Sequence, residues 1–71
     1  MFYEFWDMRT NNLIDAFDSE AEALAALLQV TKEQGDRAAE FLMLVEDDPE
    51  RDASRIVGIG SELLDRARSA A

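Results

Sequence analysis

The hydrophobic pattern begins with a run rich in aromatic residues. Residues 2–8, Phe-Tyr-Glu-Phe-Trp-Asp-Met, favour a strand because aromatic side chains pack well on a pleated surface. The segment 9–12, Arg-Thr-Asn-Asn, is typical of a turn, since asparagine tolerates the left-handed backbone of tight hairpins. Residues 13–17 supply a returning strand. The chain is therefore predicted to open with a β-hairpin.

A helix is predicted over residues 20–34. Ser19 and Glu22 form a capping box, in which the serine hydroxyl accepts from the Glu22 amide and the glutamate can reach back to the Ser19 amide. Apolar residues then recur at the i, i+3, i+4 and i+7 spacing of one helix face, from Ala21 to Leu28. Gly35 is placed to end the helix with a left-handed backbone.

The second half of the chain is less uniform in its pattern. The run 41–45 has the length and apolarity of a buried strand, although residues 38–45 also fit helical spacing and Asp36 could cap such a helix. We prefer the strand, because an isolated hairpin needs further strands to be stable in water.

Three further segments complete the predicted fold. Residues 47–52 are predicted to form a solvated loop, residues 54–59 a fourth strand, and residues 62–68 a final helix capped by Ser61. The predicted class is α+β, with the order β-β-α-β-β-α and an antiparallel sheet with two helices. Residues 1–71 are expected to form a single domain with no leader segment.

Size and composition limit how this domain can be stabilised. At 71 residues, one core supplies only about 3–5 kcal/mol of net stability. The chain has neither cysteine nor histidine, which excludes disulfides, thiolate zinc sites and imidazole ligands. Association with another chain is the support that remains.

The charge balance restricts the classes of partner. Sixteen acidic residues against seven basic ones give a net charge of −9. A field of this sign repels nucleic acid and anionic lipid. The acidity is explained either by solubility alone or by a basic protein partner. No apolar run reaches the roughly 20 residues of a membrane span, so a cytoplasmic location is expected.

Candidate catalytic and ligand-binding groups are few. Without histidine, a nucleophilic hydroxyl has no usual base, so no catalytic residue and no cofactor is predicted. The acids between Glu46 and Asp52 could attract calcium or magnesium, but the segment lacks a turn glycine and contains Pro49 and Arg51; a solubilising charged loop is the preferred interpretation. Gly58 and Gly60 are interpreted as close strand–helix packing rather than a phosphate cradle.

The hairpin offers the best candidate for function. Its first strand is apolar on both faces, with Tyr3 and Phe5 on one face and Phe2, Trp6 and Met8 on the other. The second strand also carries apolar residues on both faces. If both helices cover the same face, an aromatic patch is left bare, and such patches usually mark interfaces. The predicted interface residues of a homodimer are Phe2, Trp6, Met8 and Ile14.

Part of the chain resembles a class of small bacterial proteins that have no assigned activity. The resemblance is carried by Tyr3-Glu4-Phe5-Trp6-Asp7, Asn12-Leu13-Ile14 and the run 17–23, Phe-Asp-Ser-Glu-Ala-Glu-Ala. In those proteins an aromatic–Trp-Asp strand, an asparagine turn and a Glu-Ala helix start recur. The resemblance implies the strand interpretation of residues 40–46 and brings no activity.

We therefore predict a small, acidic, non-catalytic protein-interaction module. It is expected to be homodimeric and to regulate or neutralise a protein partner, as an antitoxin-like subunit would, with a basic protein as the candidate partner. The alternative is a domain that binds a small molecule or a divalent metal through the sheet face or the 46–52 segment.

Overall fold

The computed structural model describes residues 1–70 and confirms the predicted α+β fold, with the order β-β-α-β-β-α. The strands are β1 (Phe2–Asp7), β2 (Asn12–Phe17), β3 (Leu42–Asp48) and β4 (Ala53–Ile59), and the helices are α1 (Glu20–Gln34) and α2 (Gly60–Ala70). A short 3₁₀ helix, Asp36–Ala39, connects α1 to β3.

The four strands form one antiparallel sheet in the order β2-β1-β3-β4. The chain makes two hairpins, and β1 joins them by pairing with β3. The central pair is Phe5 of β1 opposite Leu44 of β3. Both outer strands, β2 and β4, are edges of the sheet, and α1 carries the chain from one edge to the interior position beside β1.

The core lies between the sheet and the two helices. Phe5 and Leu44 come from the sheet, and their partners come from the helices and the 3₁₀ segment: Ala23, Leu24, Leu27, Ala39, Leu63, Leu64 and Ala67. The Phe5 and Phe17 rings pack edge to face, with centroids 5.6 Å apart. The helical segments of residues 1–70 thus contribute to a single core on one face of the sheet.

The ends of α1 agree with the sequence signals. The Ser19 hydroxyl oxygen accepts from the Glu22 amide at 3.2 Å, which confirms that half of the capping box. Gly35 follows the helix with φ 89° and ψ 167°, and its amide donates to the Thr31 carbonyl at 2.8 Å. The positive φ was predicted. The value of ψ lies outside the left-handed helical region, in a backbone conformation that only glycine adopts readily.

The segment after α1 differs in part from expectation. Residues 42–48 are a strand, as preferred, and residues 36–39 form the 3₁₀ helix in place of the longer helix that the spacing of residues 38–45 also allowed. The prediction that Asp47 and Asp48 belong to a solvated loop is wrong: they pair with Ser54 and Ala53 and extend β3. Acidic side chains are tolerated there because this end of the hairpin is open to water, and the turn is confined to residues 49–52.

The last helix starts earlier than predicted, at Gly60 instead of after a Ser61 cap. Strand β4 runs directly into it. The close approach of strand and helix is confirmed at Gly58, where an added Cβ would lie 3.2 Å from the Leu63 Cδ1 and 3.4 Å from its Cα. Gly58 therefore lets the buried face of α2 rest on the backbone of β4.

Each hairpin contains one irregularity in its register. On β2, Leu13 pairs with Trp6 and Asp15 pairs with Phe5, so Ile14 is an extra residue between them. On β4, Val57 is the extra residue between the partners of Leu44 and Val45. Such bulges increase twist and change the face on which the following side chains lie. The two bulges therefore determine which apolar residues of β2 and β4 face the helices.

Candidate protein-docking face

One face of the sheet is turned away from the helices, and we call it the open face. Its first cross-strand row consists of Leu13, Trp6, Met43 and Ile59. Its second row consists of Ala16, Glu4, Val45 and Ile56, and its third of Phe2, Asp47 and Ser54. The first row is apolar across all four strands. A sheet solvated on one side normally carries polar side chains there, so this row is unusual.

Exposure confirms that apolar area on this face meets solvent. Leu13 is 48% exposed, Ile56 55% and Ile59 42%. Trp6, Met43 and Val45 are half-buried, because their neighbours in the sheet shield them from the sides. The Trp6 ring is therefore not covered by the helices, which pack on the opposite face with Phe5.

The structure separates the four interface candidates. Phe2 and Trp6 lie on the open face, and Met8 lies just beyond the end of β1 with 38% of its surface exposed. Ile14 does not join them, because the bulge makes it the unpaired residue of β2; it lines a groove on the helix side instead. The sequence-based assignment of Ile14 to the same face as Trp6 is corrected here, and Leu13 takes that position.

Several residues of the open face were absent from the sequence-based interface. Met43 and Val45 alternate with Leu44 along β3, and Ile56 and Ile59 lie on the two sides of the β4 bulge. The positions of Met43 and Val45 could have been predicted from the sequence, because successive residues of a strand face opposite sides and Leu44 lies between them. The run 41–45 was apolar throughout, which is typical of a strand with two apolar faces.

A polar row crosses the helix-side face near the start of α1. The Tyr3 hydroxyl donates to the Glu46 carboxylate at 3.0 Å, and Arg55 donates to the same oxygen at 3.0 Å. The Arg55 hydrogen bond, followed by that of Tyr3, lowers the pKa of the Glu46 carboxyl. Burial, followed by the hydrogen bond to Glu46, raises the pKa of Tyr3. Tyr3 and Arg55 both donate to the Glu46 carboxylate, so the three side chains form a structural hydrogen-bond network.

This network predicts a specific dependence of stability on pH. The pKa of Glu46 is lower in the folded state than in the unfolded chain. Over the pH range between these two pKa values, the unfolded state therefore binds more protons than the folded state, and the free energy of unfolding falls as the pH is lowered. The contribution is fully present above the ordinary carboxyl value of about 4.3 and is lost as pH falls through the lowered folded value. Denaturant titrations at a series of acidic pH values should show a shallower fall in the free energy of unfolding for Glu46→Gln than for the native chain.

The matched control for that experiment is Glu33→Gln, on the solvent side of α1, which removes the same charge. It should retain the native slope. Equal slopes for Glu46→Gln and the native chain would show that the Tyr3–Glu46–Arg55 network does not link folding to protonation.

The acidic segment 46–52 is divided between strand and turn. Glu46 is held by Tyr3 and Arg55, while Asp48 forms an ion pair with Arg51 at 3.6 Å and accepts from the Glu50 amide at 3.2 Å. Within residues 1–70, no three acidic side chains converge in a way that could hold a metal ion.

A groove of about 810 Å³ lies on the helix side of the β1–β2 hairpin. Apolar residues of the sheet, the second half of α1 and the start of β3 line its floor, including Phe17, Leu27 and Leu42. At its mouth, the Arg9 guanidinium lies 4.6 Å from the centre of the Phe41 ring and forms an ion pair with Asp7 at 3.1 Å. The groove is open and has charged residues of both signs around it.

Comparison of the chain with protein-family models, with curated proteins and with solved structures finds no match. No helix among residues 1–70 has the length and apolarity needed to cross a membrane.

Proposed function

We propose that this chain is a non-catalytic protein-interaction module that docks a partner protein on the open face and thereby regulates or neutralises it. The observation that carries the proposal is the row Leu13–Trp6–Met43–Ile59, which is apolar across the full width of the sheet on the side without helices.

The dimensions of the face support this proposal. Strands about 4.8 Å apart and a rise of about 3.3 Å per residue give the four-stranded face a plan of roughly 20 Å by 20 Å. Contiguous apolar patches of about 300–600 Å² on a monomer are often functional. A second apolar pair, Val45 and Ile56, lies directly beside the first row and enlarges the patch. The open face is thus broad enough to dock another protein, and its first row supplies apolar contact area across all four strands.

The chemistry of the titratable groups supports a binding role rather than catalysis. The chain has no histidine, and the Glu46 carboxylate, whose pKa is lowered, is engaged by Arg55 and Tyr3. Within the described part of the chain, every buried side-chain nitrogen or oxygen has a hydrogen-bond partner. Histidine is the commonest general acid or base, and the Glu46 carboxylate is held in a structural network, so these groups favour a binding role.

The experiment compares capture of partner proteins by variants that place a glutamate on different surfaces. Leu13→Glu and Ile56→Glu introduce the charge on the open face, whereas Gln29→Glu introduces it on the solvent side of α1. The native chain and Gln29→Glu should retain the same protein from the native cell extract at low salt, measured by quantitative mass spectrometry. The two open-face variants should lose it.

Both open-face positions are about half exposed, so these variants should fold, which circular dichroism checks. Retention of one set of proteins by all four forms would refute docking on the open face.

Binding of a small molecule is a second candidate function, and the groove beside Phe41 favours it. Its volume is within the usual range for ligand sites, about 300–1,000 Å³, and its floor is apolar with Arg9 and Arg37 at the rim. Thermal melts with a panel of amphipathic metabolites test it, because a ligand that prefers the folded state raises the midpoint. The increase should disappear in Ala26→Trp, which fills the groove from α1.

A further inference from the structure

We infer that the protein docked on the open face is a basic one, which presents lysine or arginine side chains within an apolar surface, and that it is not a second copy of this chain. This inference rests on the proposed docking function and names the chemistry of the partner.

The open face carries acidic groups among its apolar residues. Glu4 lies in the second row between Ala16 and Val45, and Asp47 lies in the third row between Phe2 and Ser54. Both are half-buried. The five ion pairs found among residues 1–70 use other acids, namely Asp7, Asp48, Glu46, Glu20 and Asp36. The carboxylates of the open face therefore lack an internal cation.

The basic residues of the chain lie elsewhere. Arg55 is the one basic residue within the four strands, and its side chain bonds Glu46 on the helix side. Turns and helical segments hold the other six: Arg9, Lys32, Arg37, Arg51, Arg66 and Arg68. The open face of the described chain is thus apolar and acidic, with no base of its own.

Docking of a second copy on this face would bring like charges together. A symmetric face-to-face dimer would enclose two Glu4 and two Asp47 carboxylates with no cation to pair with them. Burial of unpaired charge costs several kcal/mol per ion, and like charges across an interface disfavour association. Each copy also carries a net charge of −9, which adds long-range repulsion. These terms oppose the homodimer that was predicted from the aromatic patch of the hairpin and the small size of the chain.

A basic partner would reverse each of these terms. A lysine or arginine reaching Glu4 would form a charge-assisted hydrogen bond, and Trp6, two residues along the same strand face, offers an aromatic surface to the same cation. The apolar first row would cover the stem of such a long side chain. The acidic field of the whole molecule would steer a basic protein toward it.

The probe for this inference is a random peptide library displayed on phage and selected on the immobilised protein. Enriched peptides are expected to combine aliphatic or aromatic residues with lysine or arginine. As synthetic peptides they should bind Glu4→Gln roughly tenfold more weakly than the native chain, as expected for one lost charged hydrogen bond. Glu33→Gln, which changes the net charge equally on α1, should bind as the native chain does, and the affinity should fall as salt is added.

The remaining outcomes separate this inference from the docking function. Peptides without basic residues that lose binding in Ile56→Glu, but bind Glu4→Gln unchanged, would overturn the inference and leave docking intact. Sedimentation of the native chain as a micromolar dimer that Ile56→Glu dissociates would also overturn it and identify a second copy as the occupant. If no selected peptide is sensitive to Ile56→Glu, the docking function itself fails.

Discussion

Truncation of Leu44 to alanine is expected to leave much of the protein unfolded at room temperature. Leu44 is completely buried at the centre of β3, opposite Phe5 and beneath the helices. Removal of a buried leucine side chain costs about 2–5 kcal/mol, because the transfer energy is lost and a cavity remains. A domain of this size has a net stability of only about 3–5 kcal/mol. Circular dichroism and denaturant titration measure the loss.

The control for this prediction is Leu13→Ala on the open face. Leu13 is the same residue type in the same sheet, but 48% of its surface is exposed, so its truncation should cost less than about 1 kcal/mol. A comparable loss for both variants would mean that the open face is covered in the folded protein, which contradicts its exposure to solvent.

Replacement of Gly58 by valine should also destabilise the protein strongly, by about 1–3 kcal/mol. The added branched side chain would meet Leu63, whose Cδ1 and Cα lie 3.2 and 3.4 Å from the position of a new Cβ. Helix α2 would have to move away from β4, and the buried contacts of Leu64 and Ala67 would loosen with it.

The matched series Gly58→Ala and Gly58→Val tests the steric cause, with the midpoint of urea unfolding as the measurement. Alanine should cost less than valine, because the flexible end of the Leu63 side chain can give way to a single methyl group. If valine is tolerated as well as glycine, β-sheet propensity outweighs the close approach, and Leu63 does not limit the side chain at position 58.

Local signals in the sequence predicted most of the elements. The Ser19 cap and the helical spacing after it identified α1, Gly35 marked its end, and the Asn11 turn has the predicted left-handed backbone with φ 58°. These features depend on residues close together in the chain, so the sequence contains them directly. The end of β3 was missed because Asp47 is in a strand only through its pairing with β1 and β4.

The docking face could be predicted only in part. Strict alternation along β2 would put Ile14 on the same face as Trp6. The bulge opposite Phe5 and Trp6 leaves Ile14 unpaired, so Leu13 lies on the face of Trp6 instead. A bulge is set by twist and by the pairing of distant strands, which no local pattern reveals. The contribution of β3 and β4 depended in the same way on the strand order β2-β1-β3-β4.

Photo-crosslinking in living cells tests the docking of a partner on the open face most directly. A photoreactive phenylalanine analogue would replace Ile56 on the open face or, as the control, Gln29 on the solvent side of α1. The account predicts a discrete covalent product with another protein from position 56 and little or none from position 29. No product from position 56, or equal products from both positions, would contradict it.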